Sequence, residues 1–287
     1  MLLRNIKNKF RNNSLSNILS KINNRYGLGA LEYCFASNWL NPFATFYLNF
    51  RSFSFNQAIK FPVWVYGRPR LYSLNGSMKI EGKVEGGMIK FNCTNMGPSN
   101  MGVQSEIINQ GLIIFRGKGM IRTGNRLNIE KNAVLEIGDR FIIGDMCNFS
   151  CSLSITIGCN TRIAHRSQIL DSNFHYVANM NDRVVPPIQR PIVIGRNCWI
   201  CNTSTISAGA IIPDYSIITS NSLVNKNFSL IKPYSIIGGI PAKFIRSGYV
   251  LINNQNIVSE INSYYTSFQE DIYHLSDAIS VAELGKF

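Results

Sequence analysis

Over much of the chain, aliphatic side chains recur at every sixth position. The series runs Ile137, Ile143 and Phe149, slips by two residues to Ile157, Ile163 and Ile169, and then breaks. It resumes at Ile194, Ile200, Ile206, Ile212, Ile218 and Val224, with Ile231 and Ile237 beyond. The fifth residue of each unit is usually small: Cys147, Thr161, Ser167, Cys198, Ser204, Ala210, Ser216, Ser222 and Ser235. The second is often glycine, at 138, 144, 158, 195 and 238. A helix repeats near 3.6 residues and a strand at 2.0, so neither alone gives a strict six. A β-helix does: each hexapeptide makes one flat face and one corner, and three faces make a coil. The aliphatic residue then fills the interior and the small one sits inside near the corner. Successive coils stack at the strand spacing of about 4.8 Å. The pattern predicts a mainly β fold.

Outside this grid the pattern changes. Residues 2–26 place Leu2, Leu3, Ile6 and Phe10, then Leu15, Ile18, Leu19 and Ile22 at helical spacing, with Arg4, Lys7, Lys9, Arg11, Lys21 and Arg25 on the polar side. Two readings stand for this basic amphipathic segment: it lies on an anionic membrane, or it packs on its own domain. Residues 51–110 read as short strands punctuated by turns at Asn75-Gly76, Gly86-Gly87 and Gly97-Pro98. Ile257, Ile261, Tyr264, Tyr265, Phe268, Ile272 and Leu275 predict a C-terminal helix, acidic on its outer side, that caps the β-helix or pairs with the basic segment. The expected organisation is a helical segment over 1–50, a connecting layer over 51–111, the β-helix over 112–246 with an inserted loop at 170–191, and a tail over 247–287.

Charge sharpens this division. The chain of 287 residues carries 29 Lys and Arg against 16 Asp and Glu, a net +13. Residues 1–80 hold 11 of the cations and a single acid, Glu32. The remaining 18 cations face 15 acids, which argues against a nucleic-acid surface over the whole protein. No run of about 18 apolar residues predicts a membrane span, and no export leader is apparent. An odd count of seven cysteines argues against a disulfide framework, so a cytoplasmic setting is expected. Cys198-Trp199-Ile200-Cys201 suggests redox or zinc chemistry by spacing, but Cys198 stands in the small interior slot, as Cys147 does, and reads as a packed hydrophobe.

The break in the grid holds Asp171-Ser172-Asn173-Phe174-His175, with one of only three histidines. Loops this long inside a compact repeat are usually functional. The grid, this loop, the segment Ile192–Ile200 and the ending Gly239-Ile240-Pro241-Ala242-Lys243-Phe244-Ile245-Arg246 resemble the hexapeptide-repeat acyltransferases. The branch most similar is that of maltose and galactoside O-acetyltransferases, near the acetyltransferases of cell-surface polysaccharide biosynthesis. The resemblance implies a left-handed parallel β-helix, a homotrimer, a sugar or glycan acceptor, and acetyl-CoA as co-substrate, without metal or nucleic acid. With the basic N-terminal segment, it suggests peripheral contact at the inner face of a membrane.

Acetyl transfer to a hydroxyl needs a base, stabilisation of an oxyanion, and positioning. By resemblance His175 is the base, while His165 falls within a repeat as an outward residue and His274 lies outside the match. Asp171 or a backbone carbonyl is a candidate to fix the tautomer of His175. Asn148 matches an asparagine near the acceptor hydroxyl, or is simply a corner residue. For the donor the resemblance carries over Trp199, Ser220, Asn225, Lys226, Lys243 and Arg246. Ser220 departs from the family's Gly-Ala-Gly, and the cations suit phosphates or are solvated charges. Zinc chemistry on this fold takes three clustered histidines, which the repeats lack. Acetylation of an amino sugar or of serine, and an inactive scaffold, remain as alternatives.

Overall fold

The computed structural model describes residues 38–94, 103–268 and 272–285. The expected helices over 2–26 lie outside these residues. The chain winds as a left-handed parallel β-helix with three faces. The first face orders Val63–Val65, Ile89–Cys93, Gly119–Arg122, Phe141–Ile143, Arg162–Ile163, Trp199–Ile200, Ile217–Ile218 and Ser235–Gly239. The second orders Arg70–Tyr72, Glu106–Asn109, Arg126–Ile129, Asn148–Cys151, Gln168–Leu170, Thr205–Ser207 and Leu223–Val224. The third runs from Ser77–Ile80 through Leu112–Phe115, Val134–Ile137, Ser154–Ile157 and Ile192–Ile194 to Ile211–Ile212. An antiparallel strand, Ala242–Ser247, closes the first face at its last rung.

The interior follows the six-residue grid. Ile137, Ile143, Phe149, Ile157, Ile163, Ile169, Ile194, Ile200, Ile206, Ile212, Ile218, Val224 and Ile237 are all buried. The small residues are buried beside them and bind corner carbonyls. Ser204 Oγ donates to Thr219 O at 2.9 Å, Ser216 Oγ to Pro213 O at 2.8 Å and Ser222 Oγ to Thr219 O at 2.7 Å. Cys147 Sγ to Ala164 O at 3.1 Å and Cys198 Sγ to Pro213 O at 3.2 Å make the same kind of contact. Burial pushes both thiols up to about 12, so Cys198 is a packing residue and not a redox thiol.

The corners explain the rest of the motif. Asn197, Thr203, Gly209, Tyr215 and Asn221, six residues apart, all take positive φ, between 55° and 84°. Left-handed backbone disfavours most L residues and is milder for asparagine, which accounts for Asn132, Asn160, Asn197 and Asn221. The glycines serve close stacking. A Cβ on Gly158 would fall 2.4 Å from Arg196 N, and one on Gly195 2.6 Å from Asp214 N.

The strand ladder does not begin at residue 112. Ser77–Ile80 pairs in register with Leu112–Phe115, and Val63–Val65 with Ile89–Cys93, so the described strands between 63 and 111 already belong to the β-helix. Its coils are irregular. Trp199 pairs with Ile217, 18 residues on, whereas Val63 pairs with Ile89 and Ile89 with Gly119, 26 and 30 residues on. The extra residues between paired strands erase the period without disturbing the pairing.

Helix α1 (Pro42–Ser52) caps the first rung. Asn41 Oδ1 accepts from Ala44 N at 2.9 Å and Pro42 opens the helix. Buried Asn49 donates to Val63 O at 2.7 Å and accepts from Val63 N at 3.1 Å, while Thr45 Oγ1 accepts from Val65 N at 3.0 Å. The edge strand's backbone groups are thus answered by helix side chains. A short helix α2 (Phe55–Ala58) follows. In the tail, helix α3 (Gln255–Phe268) stops before Ile272 and Leu275, which the sequence pattern had included. Helix α4 (Val281–Leu284) has a Ser280–Glu283 capping box, and Asn253 N donates to Leu284 O at 2.7 Å. A Cβ on Gly285 would lie 3.1 Å from Asn197 Oδ1, so this part of the tail folds back beside a coil corner.

Candidate active site

The inserted segment leaves the second face after Gln168–Leu170 and returns at Ile192–Ile194. It forms an arm. At its base Arg190 N donates to Asp171 O at 2.9 Å and Asn173 N to Ile188 O at 2.9 Å. At its tip Asn179 and Val184 pair, and Asn179 Oδ1 accepts from Asn181 N at 3.0 Å. Gly209 makes room for the base: a Cβ there would fall 3.2 Å from the Arg190 guanidinium.

His175 sits near the root of this arm. Phe174 has φ 60°, and His175 N donates to Asn173 O at 2.7 Å, a three-residue turn of a strained kind. Phe174 N donates to Ser172 Oγ at 3.1 Å, which fixes the turn. The turn presents His175 to solvent.

Asp171 does something other than orient His175. It is fully buried, and its carboxylate accepts Ser152 N at 2.7 Å, Leu153 N at 2.9 Å and Ser154 N at 2.7 Å. Those three amides are the corner of the coil beneath. The carboxylate fills this nest of N–H groups and fastens the arm to the stack. Among the described residues the His175 imidazole has no hydrogen-bond partner, Asp171 included. Asp171 also adds to the burial that drives the Cys151 thiol far above its ordinary range.

Asn148 opens the strand that pairs with the arm's launching strand, in register with Gln168. An outward column on the second face therefore runs Arg126, Asn148, Gln168, Thr205 and Leu223. Asn148 and the arm root are on neighbouring rungs of one face, and Asn148 lies within a strand, not at a corner. His165 stands at an exposed corner between the first and second faces, its carbonyl accepting from Thr203 N at 3.0 Å.

The residues expected to hold the donor gather on the last coils. Trp199 is on the first face, in register with Arg162 and Ile217. Ser220 is at the following corner, where its Oγ donates to Asn202 Oδ1 at 2.8 Å. Asn202, one coil below, was not singled out by the sequence; its signal is the spacing of 18. Asn225 and Lys226 follow the last second-face strand and are exposed. Lys226 Nζ lies 5.2 Å from the Phe228 ring centroid. Lys243 and Arg246 are exposed on the terminal strand, and Arg246 NH1 donates to Tyr249 Oη at 3.3 Å. None of these three cations has an ion-pair partner among the described residues. Exposed cations of this kind suit phosphate groups.

No family model matches the chain. Over 148 residues, 49% of this chain and 74% of the other, it is 30% identical to WbbJ of Escherichia coli (strain K12), provisionally named a lipopolysaccharide biosynthesis O-acetyl transferase. Over 119 residues, 39% of this chain and 63% of the other, it is 35% identical to a provisionally named macrolide acetyltransferase of Lysinibacillus sphaericus. The chain thus spans less than two thirds of that second relative. Among solved structures, a hexapeptide-repeat acetyltransferase of Vibrio cholerae O1 biovar eltor, complexed with acetyl coenzyme A, matches with a TM-score of 0.39. It has 24% identity over 47% of this chain and 70% of that one.

Proposed function

The chain belongs to the hexapeptide-repeat acetyltransferases, and from that membership we propose that it moves an acetyl group from acetyl-CoA to a sugar hydroxyl. The observation that carries this reading is the arm: it holds His175 on a strained turn, launched from the strand beside Asn148. In the reaction, His175 takes the hydroxyl proton as the oxygen attacks the thioester carbonyl. Asn148 offers its amide to the acceptor hydroxyl or to the oxyanion. The C–S bond then breaks, the imidazolium returns its proton to the departing sulfur, and an ester and free CoA result. Lys226, Lys243 and Arg246 receive the phosphates, and Trp199, Ser220 and Asn225 line the path of the donor.

The likeness to WbbJ supports an acceptor in cell-surface polysaccharide biosynthesis. The arm's exposed Tyr176, Val177, Met180, Val184 and Val185 support a homotrimer in which a neighbouring subunit covers them. The basic N-terminal segment supports a cytoplasmic enzyme held at the inner face of a membrane. Release of CoA thiol with candidate sugar acceptors tests the activity. His175→Ala is expected to slow it by about 10²–10⁴-fold with the fold intact; an unchanged rate refutes the base.

A further inference from the structure

Two hollows lie side by side on the outer surface of the first coils, well before the arm in the chain. One is apolar, about 530 Å3, walled by Leu40, Phe46, Phe61 and Trp64 with Lys60 at its rim. The other, about 440 Å3, sets Lys90, Lys118 and Arg140 around Met88, Met120 and Phe141. Gly86 lines both. Strand register joins them: Trp64 pairs with Lys90 and Lys90 with Met120 along the outward column of the first face. The aromatic wall is held in place, because Gly87 at φ 65° lies so close that a Cβ there would fall 2.4 Å from the Trp64 ring.

The charges around the second hollow are uneven. Glu85 is paired with Lys83 at 2.6 Å and Asp139 with Arg140 at 3.2 Å. Asp139 also accepts the backbone N–H of Lys118 at 2.9 Å. Lys60, Lys90 and Lys118 have no ion-pair partner among the described residues. From residue 38 to residue 80 the sequence has five cations and no acid. An apolar pocket opening onto a cationic cleft is complementary to a molecule with a hydrocarbon chain and an anionic head. The geometry points to one site for a single lipid phosphate, its chain over Phe46, Phe61 and Trp64 and its phosphate between Lys90 and Lys118. The site is separate from the arm and from the cations of the last coils.

Titration of the full chain with farnesyl phosphate below its aggregation concentration, followed by tryptophan fluorescence, tests this. Saturable one-to-one binding is expected. Farnesol and inorganic phosphate should each bind about tenfold or more weakly, as should farnesyl phosphate to a Lys90→Ala/Lys118→Ala double variant. Phe46→Ala should weaken the lipid phosphate but not inorganic phosphate. These side chains are exposed, and an unchanged melting temperature shows each variant folded. Equal binding of farnesol and farnesyl phosphate, or no effect of removing both lysines, overturns the proposal. So does retention on phosphatidylglycerol vesicles without saturable binding of the monomeric lipid, which would make this face a bilayer contact instead.

Discussion

Asp171→Ala removes the acceptor of three buried backbone N–H groups while leaving His175, four residues on, untouched. Each bond is charge-assisted and between 2.7 and 2.9 Å long. A buried donor left without a partner loses about 1–3 kcal/mol. The three amides are consecutive and water can reach part of the vacated nest, so the total falls at about 3–5 kcal/mol. In a domain of this size each kcal/mol lowers the melting temperature by about 2–4 °C, which makes the expected drop about 10 °C. Asp171→Asn keeps one acceptor oxygen and turns an amide against the remaining N–H, so it should fall between. Thermal unfolding by circular dichroism measures this, and limited trypsinolysis at Arg183 and Arg190 reports whether the arm has come loose. Melting within about 2 °C of wild type refutes the nest. A stable Asp171→Ala protein that has nevertheless lost turnover would restore the tautomer-fixing role that the sequence had offered.

The remaining predictions rest on the coil interior and its corners. Burial raises the Cys93 thiol to about 11 and those of Cys147 and Cys198 to about 12, so native protein at pH 8 should leave all three unlabelled by a thiol reagent. Labelling of Cys198 without unfolding would contradict its packing role. The same shifts set a pH dependence: in the unfolded chain these thiols ionise near 8.5, so the stability they lend is whole below that pH and falls as pH rises towards 12. Urea midpoints should drop steadily above about pH 9, and midpoints that rise there would refute it. Gly195→Ala sets a Cβ 2.6 Å from Asp214 N and should destabilise by about 1–3 kcal/mol, whereas Ile206→Ala, fully buried, should lose about 2–5 kcal/mol. Equal and negligible effects in denaturant titrations would show that the stack relaxes freely.

How much could be read in advance depended on coil length. From Ile194 onward each coil is close to 18 residues, so every sixth side chain points inward and the grid is plain in the sequence. The described strands between 63 and 111 join the same faces, but the longer intervals between paired strands hide the period, and short strands were all that the pattern offered. His175 stood out as a candidate because it lies in the long interruption of the grid. The function of Asp171 was not legible, since its partners are main-chain amides of residues 152–154, which carry no side-chain signature. Asn148 was singled out by resemblance, yet its place within a strand, in register with Gln168, required the pairing. Helix α1 falls largely within the helical segment expected over 1–50, but the roles of Asn41 as its cap and of Asn49 and Thr45 as contacts to the first rung required the fold.

Those contacts decide where the ladder of the first face begins. A parallel stack has no intrinsic length, because any rung presents to the next the same unpaired amides and carbonyls that it met on the last. Asn49 and Thr45 mimic a neighbouring strand with two side chains, so Val63 and Val65 meet a partner that offers no rung of its own. A second chain arriving at that end meets a helix and finds no template. On this face an amide and a hydroxyl oppose further growth of the ladder.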